Sequence, residues 1–195
     1  MIRVWAKDEP FGTELADVTI AAGALAATGV AVGIDPVPYR LEYELDTIEG
    51  YVTARLLVTA QGAGWRRAID LQRAASGEWW CTTEAEGAID LPSPGGDLAA
   101  VAGALDCDLA LSPLTNSMPV LRLHEGSGPV DFLMAWVSVP DLAVHASRQR
   151  YTFIRKDPEA RIVRFESRDS SFVADLRFDD GGLVIDYPGI ARRVA

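Results

Sequence analysis

Tyr39-Arg40-Leu41-Glu42-Tyr43-Glu44-Leu45-Asp46 is the stretch on which the fold class turns. Tyr39, Leu41, Tyr43 and Leu45 point one way along an extended chain, while Arg40, Glu42, Glu44 and Asp46 point the other. That period of two marks a strand with one buried face. The pattern recurs in both directions. Downstream, 52–58 reads as a strand apolar on much of both faces, Trp65 to Leu71 begins another, and 78–83 follows the Ser76-Gly77 turn. Further strands are predicted over 120–124, 130–139, 151–155, 161–168, 171–178 and 183–187. The last two join across Asp179-Asp180-Gly181-Gly182, a hairpin signal. Upstream, the uncharged segment 18–34 reads as two short strands with turns at Gly23 and Gly29.

Helix signals are sparse. Asp97 is placed to cap a short helix through Ala104, with Leu98, Val101 and Leu105 at helical spacing. Many short strands separated by Gly, Pro, Asp and Ser clusters imply an all-β, mainly antiparallel barrel, roll or sandwich. At most one or two short helices are expected, and 195 residues without a linker or repeat suggest one domain over 1–195.

Charge narrows the partners. Lysine and arginine total 18 against 28 acids, a net charge of −10, with no basic patch. Such a surface repels phosphate backbones, so no nucleic-acid partner is expected. A membrane span takes roughly 20 strongly apolar residues, with cationic flanks setting its orientation. Segment 18–34 contains Thr19 and Thr28 and lies between Asp17 and Asp35, so no stable membrane insertion is expected. The N-terminus lacks the apolar run of an export signal. Two cysteines, Cys81 and Cys107, are too few for a disulfide framework. These features suggest a cytoplasmic protein with reduced thiols.

Leu105 to Leu123, LDCDLALSPLTNSMPVLRL, concentrates the chemistry. Asp106 and Asp108 share a face of one strand, Ser112 to Ser117 forms a turn, and Arg122 follows on what reads as a second strand. Acids, an amide and a guanidinium gathered by one turn form either a binding site or a structural network that satisfies itself. His124 and His145 lie outside any zinc spacing, so no metal is expected. Gly-x-Ser-x-Gly and Gly-rich phosphate cradles are absent, which leaves no cofactor in view. The two aspartates remain compatible with acid–base glycoside chemistry.

Aromatic residues point toward a pocket. The run Phe132-Leu133-Met134-Ala135-Trp136-Val137 is apolar on both strand faces. Met134 and Trp136 beside a few polar groups would furnish a site for a small amphiphilic ligand, unless the aromatics simply fill a solid core.

Several of these elements also resemble the glycolipid-binding family, bacterial proteins first classed as a domain of unknown function. They are Asp106-Cys107-Asp108-Leu109, Ser112-Pro113-Leu114-Thr115-Asn116-Ser117-Met118-Pro119-Val120-Leu121-Arg122-Leu123, Val137-Ser138-Val139-Pro140-Asp141-Leu142, Gln149-Arg150-Tyr151, Phe172-Val173-Ala174-Asp175-Leu176 and Gly182-Leu183-Val184-Ile185-Asp186-Tyr187-Pro188-Gly189. The resemblance implies a spiral β-roll, an unclosed barrel curled around a central cavity that holds a glycolipid or fatty-acyl compound. Candidate ligand-binding residues are Asp106, Asp108, Asn116, Arg122, Met134, Trp136 and Tyr151. The alternatives are a carboxylate-dependent hydrolase acting on a glycoside and a non-catalytic protein-interaction module.

Overall fold

The structure, a computed structural model, describes residues Met1–Ala195. Seven strands form a meander: β1 (Ile2–Lys7), β2 (Gly12–Ala21), β3 (Ala24–Gly33), β4 (Tyr39–Ile48), β5 (Val52–Gly62), β6 (Trp65–Arg73) and β7 (Trp79–Gly87). The chain then passes a one-turn 3-10 segment, Leu98–Val101, whose first turn Asp97 caps by accepting from Ala99 N at 3.0 Å. Next come β8 (Asp106–Leu109), a second 3-10 turn at Leu114–Asn116 and the short helix α1 (Ser117–Arg122). The remaining strands are β9 (Val130–Val137), β10 (Val144–Lys156), β11 (Arg161–Ser167), β12 (Val173–Phe178), β13 (Val184–Tyr187) and β14 (Ala191–Arg193).

All fourteen strands belong to one sheet, ordered β7-β6-β5-β4-β3-β2-β1-β14-β13-β12-β11-β10-β9-β8. Every pairing is antiparallel except β8 with β9. The two chain ends meet at the middle, where β1 pairs with β14. The fold is therefore all-β, an unclosed spiral β-roll with a single short α-helix. That helix is not long and apolar enough to cross a membrane.

On the inner face of the roll, small residues of β3 stand opposite large ones of β4. β3 turns Ala27, Gly29, Ala31 and Gly33 inward, and their register partners on β4 are Leu45, Tyr43, Leu41 and Tyr39. A Cβ at Gly29 would lie 2.2 Å from Tyr43 Cζ, and one at Gly33 would lie 2.5 Å from Tyr39 Cζ. Gly29 is thus not the turn expected from sequence. It sits mid-strand because only a missing side chain leaves room for the tyrosine ring.

The far edge folds back on the first half. Thr53 N donates to Leu105 O at 3.0 Å, and Cys107 N donates to Thr53 Oγ1 at 2.9 Å. Residues 120–124, read as a strand, lie largely in α1. Six residues are too few to display a helical period, and Met118 and Val120 are buried there at either reading.

Two clusters of buried side chains pack within the roll. One cluster of 29 buried residues runs from Trp5 and Tyr43 through Leu56 to Val137, and a second of 11 spans Met134, Tyr151 and Phe178. Beside these clusters an open cleft is lined by residues of β8–β11, β13 and the loops next to them.

Gly29→Ala is expected to displace Tyr43 and lower stability by about 2–4 kcal/mol in urea unfolding. A change within about 0.5 kcal/mol would show that the ring tolerates the methyl group.

Candidate functional site

Glu14 on β2 anchors the site from beneath. It is completely buried. Its Oε1 accepts from Tyr43 Oη at 2.9 Å and from Ser112 Oγ at 2.7 Å, while Lys7 Nζ lies 3.3 Å from Oε2. Ser112 belongs to the loop after β8, so this carboxylate ties the first meander to the loop that roofs the cleft. The preceding Leu111 has φ 61, the left-handed region, which costs a non-glycine residue about 1–2 kcal/mol. Ser112 N bonds back to Leu109 O at 3.0 Å, and Ala110 N bonds to Val137 O at 2.9 Å. The loop is held in a strained shape that turns Leu111 toward the cleft.

That cleft has a volume of about 630 Å³, within the roughly 300–1,000 Å³ of small-molecule sites. Register brings its wall together: Asp108 on β8 pairs with Trp136 on β9, which pairs with His145 on β10. The Trp136 and His145 rings have centroids 5.8 Å apart. Phe165, Phe172, Tyr187 and Ile190 supply the opposite, apolar wall. Ser112, Asn116, Ser147 and Gln149 supply polar groups. A second groove of about 410 Å³, on the outer face of β2–β5, carries Asp17, Glu42 and Glu44.

Asp108 sits at the base of the cleft and is 9% exposed. Its Oδ1 accepts from Thr115 Oγ1 at 2.7 Å and its Oδ2 from Gln149 Nε2 at 2.6 Å. Behind them, the Tyr151 hydroxyl lies 3.0 Å from Gln149 Oε1 and 2.9 Å from Asn116 Oδ1, sharing its one proton between two acceptors. Burial pushes the Asp108 carboxyl up to about 6. The bonds from Gln149 and Thr115 pull against that shift, and nearby Asp106 adds to it. No cation offsets the charge.

Asp106 differs. Arg122 Nη1 reaches its Oδ1 at 3.0 Å, the second guanidinium nitrogen bonds Oδ2, and Arg122 also donates to Tyr51 O at 3.1 Å. Burial raises the Asp106 carboxyl and Arg122 draws it back. This pair pins α1 to β8 and to the β4–β5 turn.

Of the seven residues proposed from sequence, Asp108, Asn116 and Trp136 line the cleft. Tyr151 stands behind its polar floor. Asp106 and Arg122 are joined to each other away from the cleft, and Met134 is packed in the second core cluster. The two aspartates therefore do not form a free acid pair. Sequence reasoning missed Gln149, Ser147 and His145, since it started this strand at Tyr151 whereas β10 begins at Val144. Both faces of the first half of β10 are largely polar, so the alternation that reveals a half-buried strand is absent.

A model of the family described as "Putative glycolipid-binding" matches residues 2–193. Among solved structures, a DUF1089 family protein from Pseudomonas aeruginosa is 26% identical, with a TM-score of 0.69 over 93% of this chain and 92% of that one. No curated protein matches the chain.

Because the Asp108 carboxyl titrates higher folded than unfolded, the folded chain holds the extra proton between about pH 4 and 6. Stability attributable to this group falls as pH rises through that window and stays reduced above it. Asp108→Asn is therefore expected to unfold like the parent near pH 4 and to gain up to about 3 kcal/mol above pH 7. Urea titrations at both pH values check this. A variant destabilised at every pH would mean that the charge itself holds the structure.

Proposed function

The chain belongs to the glycolipid-binding family, and from that premise we propose that it binds the sugar head of a glycolipid in the cleft between the Leu109–Asn116 loop and strands β9–β13. The observation that carries this reading is the chemistry of the cleft wall. Asp108, Gln149, Ser112 and Ser147 offer hydrogen-bonding groups, while Trp136, Phe165, Phe172 and Tyr187 offer aromatic surface. A sugar presents hydroxyls around its rim and C–H bonds on its faces, so it uses both kinds of surface at once. Leu111, Val139 and Ile190 extend the apolar lining toward the start of a lipid tail. The ligand would lie in this cleft.

A protein-interaction role has a separate observation in its favour. Leu15 and Val30 are exposed register partners on the outer face of β2 and β3, with Val32 exposed nearby. This strip has no buried polar group to select a partner, which makes the cleft the better-supported site.

Hydrolysis has weaker support. Asp106 is committed to Arg122, so the pair Asp106 and Asp108 is not free to share acid–base work.

Native mass spectrometry with octyl glucoside tests the binding reading. A saturable one-to-one adduct is expected, weakened about tenfold or more by Trp136→Ala. No saturable adduct, or one indifferent to Trp136→Ala, would count against the cleft as the binding site.

A further inference from the structure

The lining of the cleft is electrically one-sided. Asp35, Asp108 and Asp169 contribute to it, and no lysine or arginine does; His145 is its one basic ring. Asp169 has an ion partner, since Arg148 Nη1 lies 3.7 Å from it, and both side chains are exposed. Asp108 has none. The guanidinium of Arg122 is engaged with Asp106 and with backbone carbonyls of the β4–β5 turn.

Each oxygen of Asp108 accepts a single hydrogen bond from the protein, and a carboxylate oxygen has room for a second. Both bonds come from neutral donors. A carboxylate removed from water with only neutral partners lacks the counter-charge that ordinarily accompanies buried acids. Nothing in the chain is placed to supply it. Aromatic rings line the same cleft, and their faces attract cations and not anions.

Resting on the binding reading above, we propose that the cleft selects a head group bearing an amine, such as an amino sugar, over neutral sugars and against heads carrying phosphate, sulfate or carboxylate. The ammonium would donate to the open acceptor positions of Asp108 and supply its missing counter-charge. Trp136 or Tyr187 would cover the positive carbon atoms beside it. An anionic head would bring a fourth negative charge among three aspartates, with no arginine or lysine to receive it. The left-handed Leu111 borders the same cleft as Asp108.

Isothermal titration with three octyl glycosides that share one tail separates the possibilities: octyl glucoside, octyl 2-amino-2-deoxyglucoside and octyl glucuronide. The amine is expected to bind about tenfold tighter than the neutral sugar, and the glucuronide weakest. In Asp108→Asn the amine's advantage should shrink to within about threefold, while thermal unfolding confirms that the variant is folded. Neutral and amino sugars binding equally, with binding still lost in Trp136→Ala, would overturn amine selection and leave the binding reading standing. An amine preference that survives in Asp108→Asn would overturn the role given to that carboxylate. Binding of none of the three would overturn both readings. Should Asp108→Asn fail to fold, the order of the three ligands on the unaltered protein decides alone.

Discussion

A single sheet of fourteen strands has two free edges and must be held in its curl by contacts that are not part of its ladder. Buried charge provides these contacts. Glu14 reaches from β2 to Tyr43 on β4 and to Ser112 on the loop beyond β8, and Lys7 balances it from β1. Arg122 joins α1 to Asp106 and to the β4–β5 turn. These side chains sit where the two halves of the meander face each other, so they set the distance between them. Room for Tyr43 to approach Glu14 depends in turn on Gly29, where any side chain would occupy the ring's place.

With the halves so fixed, packing fills the interior, and the space left for a ligand lies beside the loop that Glu14 restrains. Two aspartates two residues apart then meet different fates. Asp106 is matched by a guanidinium and acts as a fastener. Asp108 is held by neutral donors only, burial raises its carboxyl, and it lines the cleft. A destabilising charge at a concave, aromatic-walled position is the usual signature of a site kept for binding and not for folding. The left-handed Leu111 points the same way, because it stores strain in a loop that lines the same cleft.

Most of the fold was legible because strands with one wet face announce themselves. The alternation at Tyr39 to Asp46 and the Asp-Asp-Gly-Gly hairpin both stand in the structure as read. Three features were hidden for definite reasons. Gly29 looked like a turn, as its purpose is a ring on the next strand. Helix α1 looked like a strand, as six residues show no period. The first half of β10 carried no apolar face, as that face lines a cleft and not a core. The makeup of the cleft shifted accordingly: Gln149 and His145, named in the sequence but not among the candidates, line it, while Met134 packs in the core. Asp108 and Trp136 were visible as residues with unusual chemistry for their strands, though their pairing across β8 and β9 required the parallel register.

The account turns on where a bound sugar sits. A crystal structure of the protein grown with octyl glucoside or its 2-amino analogue tests this directly. The account predicts the sugar ring within hydrogen-bond reach of Asp108 and Gln149, stacked against Trp136, with the roll interior as filled as before. A ligand threaded through the interior, or seated in the outer groove beside Glu42 and Glu44, would contradict it.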